Sequence, residues 1–365
     1  MVYGKKEAVM TRGLAIISMV LLHMFCKLGN DIMCTPLLWV NSEKPFIYWI
    51  GFYSEICVIL YSICSGYAQY ILFQKNKSKP KDNAKRLIKL LQNYWIILIM
   101  FSLIGLIIKD SEVPGSIGRF ALNFFVIGEE YNGAWWFLHT YVIILLIPSS
   151  VIMYPVKKIN GYFGIIFLFV FISALIIIQH FVNFLPDRDS KILFNLVYHI
   201  LNFIKVLPMF WIGAFLCKIN VFKKIEAFYN RYLKKKNIPG FVYNIVLILV
   251  LIVDFIVTNL LNKAIIAPFN AVLVFFIFNL LRKSEFIEKL FVFLGKHSTN
   301  IWLCHMFFYA VLFKNLVWKA KYPFFCFIFM MALCLITSYI EMFISSYSDK
   351  FFNFIRLKGK RIKEN

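Results

Sequence analysis

Apolar residues run through this chain in long, nearly unbroken stretches separated by short polar ones, without the period-two alternation of strands. Stretches of that length predict membrane-crossing helices. They fall from the start to about Leu28, then at 46–73, 93–108, 135–154, 162–182, 196–217, 241–261, 265–281, 299–313 and 322–347. Proline and glycine mark their ends at Pro80, Pro114, Gly161, Pro239, Gly240, Pro268 and Pro323. One further apolar stretch, Ser116 to Gly128, has thirteen residues, short of the roughly 17 to 25 a crossing needs. The expected fold class is an all-α, polytopic transmembrane helix bundle of about ten spans plus one short non-crossing apolar segment.

Charge decides how those spans alternate. Lys5, Lys6 and Arg12 precede the first span and place the N-terminus in the cytoplasm. If 116–128 does not cross, the basic clusters Lys75 to Lys89, Lys157-Lys158, Lys218 to Lys236, Arg282 to Lys296 and the tail after Asp349 all share that side. This arrangement puts 29 of the 40 basic residues inside, 10 outside and Lys205 within a span. If it does cross, every later cluster moves outside. The non-crossing reading puts both termini in the cytoplasm of a plasma or inner membrane. It divides the chain into a membrane domain, residues 1–348, and a basic cytoplasmic tail, 349–365.

Composition agrees: 61% of residues are hydrophobic, 19% aromatic and 16% charged, with mean hydropathy +0.74, where a soluble domain has about half and a quarter. The first run carries His23 and Cys26 and no small-residue cleavage site, so it is expected to be retained. The net charge of +22 follows from loop lysines and arginines, and no nucleic-acid partner is expected. Eight cysteines lie mostly in apolar runs without CxxC spacing, which predicts neither a disulfide framework nor a metal site. Abundant Phe, Ile, Lys, Asn and Tyr point to a low-GC, bacterial genome.

Ionisable residues inside spans are costly and therefore candidates for chemistry. They are His23, Glu55, His139, Asp254, His305 and Glu341. Glu55 and His139 are expected in the outer halves of their helices, and His305 a third to half way across from the cytoplasmic side. Asp254 and Glu341 are expected to pair with donors on adjacent helices, and Glu129-Glu130 to be a solvated loop. The stretch Thr11-Arg12-Gly13-Leu14 to Leu22-His23 stands apart. Eleven helical steps separate Arg12 from His23, about 16 Å of rise and three turns plus roughly 20°. Both side chains then face one way, an anion clamp at the membrane edge and a titratable group near the middle. Taken singly, each has a plain alternative: a buried histidine bonded to a carbonyl, and a basic residue flanking a span.

An arginine and a histidine so spaced resemble the acyltransferase-3 family of integral membrane O-acyltransferases. Four more stretches fit in order: Ser62-Ile63-Cys64-Ser65-Gly66-Tyr67, Gly133-Ala134-Trp135-Trp136-Phe137-Leu138, Phe210-Trp211-Ile212-Gly213-Ala214-Phe215-Leu216, and Leu294-Gly295-Lys296-His297-Ser298-Thr299-Asn300-Ile301-Trp302-Leu303-Cys304-His305. Tyr61 stands where phenylalanine is commoner and Trp302 where tyrosine is usual. The chain ends soon after the tenth span, so the extracellular esterase-like domain of some relatives is not expected.

The resemblance implies transfer of an acyl group, usually acetyl, from cytoplasmic acyl-CoA to a hydroxyl of a cell-envelope glycan or its lipid-linked precursor, with no metal. It assigns His23 as general base and His305 as a second polar wall of the same cavity. Arg12, Ser65, Tyr67, Lys85 and Arg86 would hold the acyl-CoA. Glu55, Trp136 and His139 would meet the acceptor. Partners would be the bilayer, the saccharide acceptor and a separate acceptor-side protein if transfer needs one. A transporter or flippase for a lipid-linked sugar is the competing reading, since buried ionisable residues suit it equally.

Overall fold

The structure, a computed structural model, describes residues 3–28, 31–40, 44–181, 191–233, 239–261 and 266–364. Among the described residues all regular structure is helical, apart from an isolated antiparallel bridge between Trp39 and Pro45. The first half holds α1 (Lys5–Phe25), α2 (Phe46–Tyr53), a 3-10 turn (Ser54–Ile56), α3 (Cys57–Gln74), α4 (Pro80–Ile107), α5 (Ile117–Phe124), α6 (Trp136–Leu146), α7 (Ser149–Ile152) and α8 (Tyr154–Lys158). The second holds α9 (Gly161–Phe181), α10 (Lys191–Lys218), α11 (Val221–Phe228), α12 (Gly240–Leu261), α13 (Ala267–Leu280), α14 (Glu285–Met306), a π-helical turn (Phe307–Val311), α15 (Lys314–Trp318) and α16 (Pro323–Glu364). Proline opens α4 and α16 and lies in the first turn of α13, where its missing N–H costs nothing.

Among the described residues six helical segments are long and apolar enough to cross a membrane: Lys5–Phe25, Phe46–Gln74, Pro80–Ile107, Leu193–Lys218, Gly240–Leu261 and Pro323–Asp349. Gly133–Leu146, Gly161–Leu175 and Ala267–Leu280 are apolar but shorter. Several helices differ from the apolar runs that announce them. The helix expected at 299–313 starts at Glu285, so His305 lies twenty residues along it, about 30 Å from its start. The charges of 282–296 end the apolar run but not the helix, because Glu285 and Lys289 pair one turn apart and support it. The expected 135–154 helix is broken after Leu146, with Pro148 preceding α7, since proline disfavours helical backbone in the residue before it.

The chain forms two compact units, residues 1–84 with 136–298, and residues 85–135 with 299–365. In the first unit two glycine pairs let helices touch backbone to backbone. A Cβ built on Gly66 of α3 would overlap the carbonyl oxygen of Phe210 in α10, and one on Gly213 of α10 would overlap that of Ile63. Gly13 of α1 and Gly295 of α14 are placed likewise, against the carbonyls of Phe291 and Val9. Small residues are how helices approach closely in lipid, where no hydrophobic force drives them together. The Trp211 indole donates to the Ile152 carbonyl at 2.7 Å, and Lys218 donates to the carbonyls of Val156 and Ile159, which ties α10 to the α7–α8 chain.

Helix α12 is apolar outward, and its attachments combine packing of Phe255 on Phe46 and Tyr53 with hydrogen bonds. Tyr53 donates to the Asp254 carboxylate at 2.6 Å, and Asn270 of α13 donates to Thr258 at 2.7 Å. Asp254 thus has the neighbouring donor expected of it. Tyr53→Phe removes that donor at apolar depth and is expected to cost about 1–3 kcal/mol, read as a lower melting temperature of the purified chain; an unchanged melt would show the pair to be incidental.

In the second unit the short apolar stretch turns back alongside α4. Its beginning packs where a Cβ on Gly105 would meet Val113, while at its end Tyr94 donates to the Asn123 carbonyl at 2.6 Å and Trp95 to that of Phe124 at 2.8 Å. The return covers about eleven residues of α4, roughly 16 Å. The segment runs antiparallel to α4 over that length. Glu129-Glu130 is correspondingly more than a solvated loop: Asn123 donates to Glu130 at 2.9 Å, and Arg119 donates to the Glu130 carbonyl and pairs with Glu112. Buried Glu341 accepts from Asn300, whose amide meets that of Asn93 at 2.9 Å, so one carboxylate joins α4, α14 and α16.

Candidate active site

Helix α1 runs without interruption from Lys5 to Phe25. The register of Arg12 and His23 is therefore the helical one, and the two share a face about 16 Å apart. Glu7 receives the N–H of Gly4 at 2.9 Å and starts the helix; an acidic first turn also suits the helix dipole. Arg12 is half-buried two turns in, and His23 is half-buried in the last turn, within range of the Lys27 charge.

Helices α1 and α3 lie side by side, and their pairing builds the surroundings of each end. At the Arg12 end, the Tyr3 hydroxyl meets the Cys64 thiol at 3.1 Å, and the Tyr3 ring packs edge-on to Tyr67 with centroids 4.6 Å apart. Arg12's charge acts on both Tyr61 and Cys64. Thr11 is fully buried and takes the Asn279 amide of α13 at 3.2 Å. The Ser298 hydroxyl donates to the Gly295 carbonyl at 2.9 Å and lies within hydrogen-bonding reach of the Tyr61 hydroxyl, which it can still accept from. The result is a polar constellation of Tyr3, Arg12, Tyr61, Cys64 and Ser298. At the His23 end, α2 packs on the end of α1 with Gly51 against the Cys26 backbone, and Glu55 acts on Cys26 and Tyr48. Glu55 is therefore brought to the His23 end of α1.

The other expected site residues are distributed. Ser65 is half-buried and Tyr67 buried, both on α3. Half-buried Trp136 stands edge-on to Phe137, and His139 stacks on His199 of α10 with centroids 4.0 Å apart. Lys85, which is exposed, Arg86 and His305 belong to the second unit. His305 is fully buried and its Nδ1 lies 2.7 Å from the Trp302 carbonyl, so that nitrogen carries the proton and Nε2 is the basic one. A cleft of about 460 Å³ beside the start of α14 is lined by Lys6, Glu285, Glu288, Lys289, Phe293 and Lys296. Lys6 pairs with Glu288 and Lys289 with Glu285. Neither this cleft nor the Tyr61 hydroxyl was foreseen; both depend on helices far apart in sequence.

The five stretches that stand out in the sequence meet in pairs. Gly13 faces Gly295 and Gly66 faces Gly213 in the first unit. In the second, Trp302 donates to the Ala134 carbonyl at 3.0 Å and Trp135 donates to that of Leu303 at 3.1 Å. The model of the acyltransferase domain of the acyltransferase-3 type matches residues 10–341. The chain belongs to this family. It is a multi-pass membrane acyltransferase by that membership and by its apolar helices. No match was found among curated proteins or among solved structures. For an acyltransferase of this family, the pairing of the stretches gives most of their glycines and tryptophans a packing role.

Proposed function

We propose that this acyltransferase takes an acyl group, acetyl foremost, from cytoplasmic acyl-CoA and passes it to a hydroxyl of a cell-envelope glycan or its lipid-linked precursor. The observation that carries the reading is α1 itself: one unbroken helix with an arginine and a histidine on one face, about half a hydrocarbon core apart. In this reading Arg12 holds donor phosphates through its planar fork, with the Tyr61 hydroxyl as a second donor and Lys296, beside the cleft, as a further basic group. His23 removes the proton from the acceptor hydroxyl as it attacks the thioester carbonyl; the thiolate of CoA leaves and takes up that proton. Glu55 lies at the end of α1 where the acceptor enters.

Ten crossings with both termini in the cytoplasm of the plasma or inner membrane fit this scheme. They comprise the six long helical segments, the three shorter ones and the second half of α14. Donor and acceptor then approach α1 from opposite ends. The test is mass spectrometry of surface glycans from cells with and without the chain, together with release of free CoA by the purified chain supplied with acetyl-CoA and the isolated glycan. Chain-dependent O-acyl groups and CoA release are the expected result. Export of a lipid-linked sugar with no CoA release would overturn it in favour of transport.

A further inference from the structure

Helix α10 carries a polar stripe that the scheme above does not use. His199, Asn202 and Lys205 follow one another at three-residue steps, on the side of the helix that continues into buried Val206, Met209 and Gly213. The stripe therefore faces the bundle. Asn202 is 7% exposed and its Nδ2 has no hydrogen-bond partner among the described residues; Thr140 is fully buried and its Oγ1 has none among them. Thr140 follows His139 in α6, and the His139 ring lies flat against that of His199. Lys205 is half-buried in a span, and among the described residues no acidic group acts on it. A buried amide or hydroxyl left without a partner is costly, and a bundle-facing cation within a span marks a substrate path.

We propose that His139, Thr140, His199, Asn202 and Lys205 form a binding site for a hydroxyl-bearing phosphate, the chemistry of a sugar phosphate. Lys205 meets the phosphate as a point charge. Asn202 and Thr140 hydrogen-bond the hydroxyls, and the stacked imidazoles offer a flat wall with nitrogen edges. This deepens the reading of the acceptor as a glycan precursor and rests on it, but the binding can be read without any acyl donor. Such a phosphate has two sources, a soluble sugar phosphate or a lipid headgroup.

The test is the melting temperature of the purified full chain in detergent, titrated with glucose 1-phosphate, with phosphatidylglycerol and with glucose. Ligands of the folded state raise it with concentration. Glucose 1-phosphate is expected to stabilise the chain and glucose to do so far less. Lys205→Met is expected to weaken the phosphate response by about tenfold or more, the loss of one charge-assisted contact, and Lys205→Arg to restore most of it. Phosphatidylglycerol alone responding, with the same dependence on Lys205, would support the site with a lipid as its source. Equal responses to glucose and glucose 1-phosphate, or responses indifferent to Lys205→Met in a variant that melts cooperatively, would overturn it. CoA release with acetyl-CoA reports separately on acyl transfer, so failure of one does not imply failure of the other.

Discussion

Gly66→Leu is expected to leave little or no folded protein in the membrane. The α3–α10 contact closes over this residue, with its Cα side against the Phe210 carbonyl and Gly213 returning the contact against Ile63. A side chain there must push two helix backbones apart, and backbone atoms do not yield as a flexible side chain would. Overpacking typically costs about 1–3 kcal/mol and more where nothing can move, against a total stability of about 5–15 kcal/mol. Even Gly66→Ala is expected to lower abundance and melting temperature. Gly118, which meets nothing within 4 Å, is the internal control: Gly118→Ala is expected to be neutral or nearly so. Membrane abundance by immunoblot and thermal melts of purified variants check both. Normal abundance and melting of Gly66→Leu would mean that the two helices do not meet as described.

His23→Ala is expected to abolish transfer without abolishing the fold. Half-buried in the last turn of α1, His23 carries little of the core packing, which lies with Ala15, Ile16, Met19 and Val20 on the same helix. Loss of a general base lowers rate by about 10² to 10⁴. His23→Gln keeps size and hydrogen bonding but cannot take a proton, and is expected to be equally inactive. O-acyl content of surface glycans at matched membrane abundance is the readout. Retained acylation in both variants would remove His23 from the chemistry.

Much of the helical fold was legible because lipid imposes a simple rule: long apolar stretches become helices able to span it. Helix ends were not, because a helix continues past its apolar run when pairs such as Glu285 and Lys289 support it. The partners of Asp254 and Glu341 were foreseen in kind, but Tyr53 and Asn300 could not be named, since they lie 201 and 41 residues away. Arg12 and His23 were visible because both ride on one helix, where spacing alone fixes their shared face. The Tyr61 hydroxyl, the His139–His199 stack and the cleft beside α14 each need two or more helices and leave no periodic trace. The glycines show the same limit in reverse: Ser65-Gly66 announces a close approach, yet only the fold shows that Gly213 stands opposite.

The central claim is that one helix holds the donor at one end and activates the acceptor at the other. Steady-state kinetics of CoA release by the purified chain, with acetyl-CoA and glycan varied in turn, test it most directly. Arg12→Ala is expected to raise the KM for acetyl-CoA by about tenfold or more, the signature of lost donor binding. His23→Ala is expected to lower kcat by about 10² or more while that KM moves by less than about threefold. If Arg12→Ala leaves the donor KM unchanged, or His23→Ala keeps a wild-type kcat, α1 does not divide the work in this way and the account is contradicted.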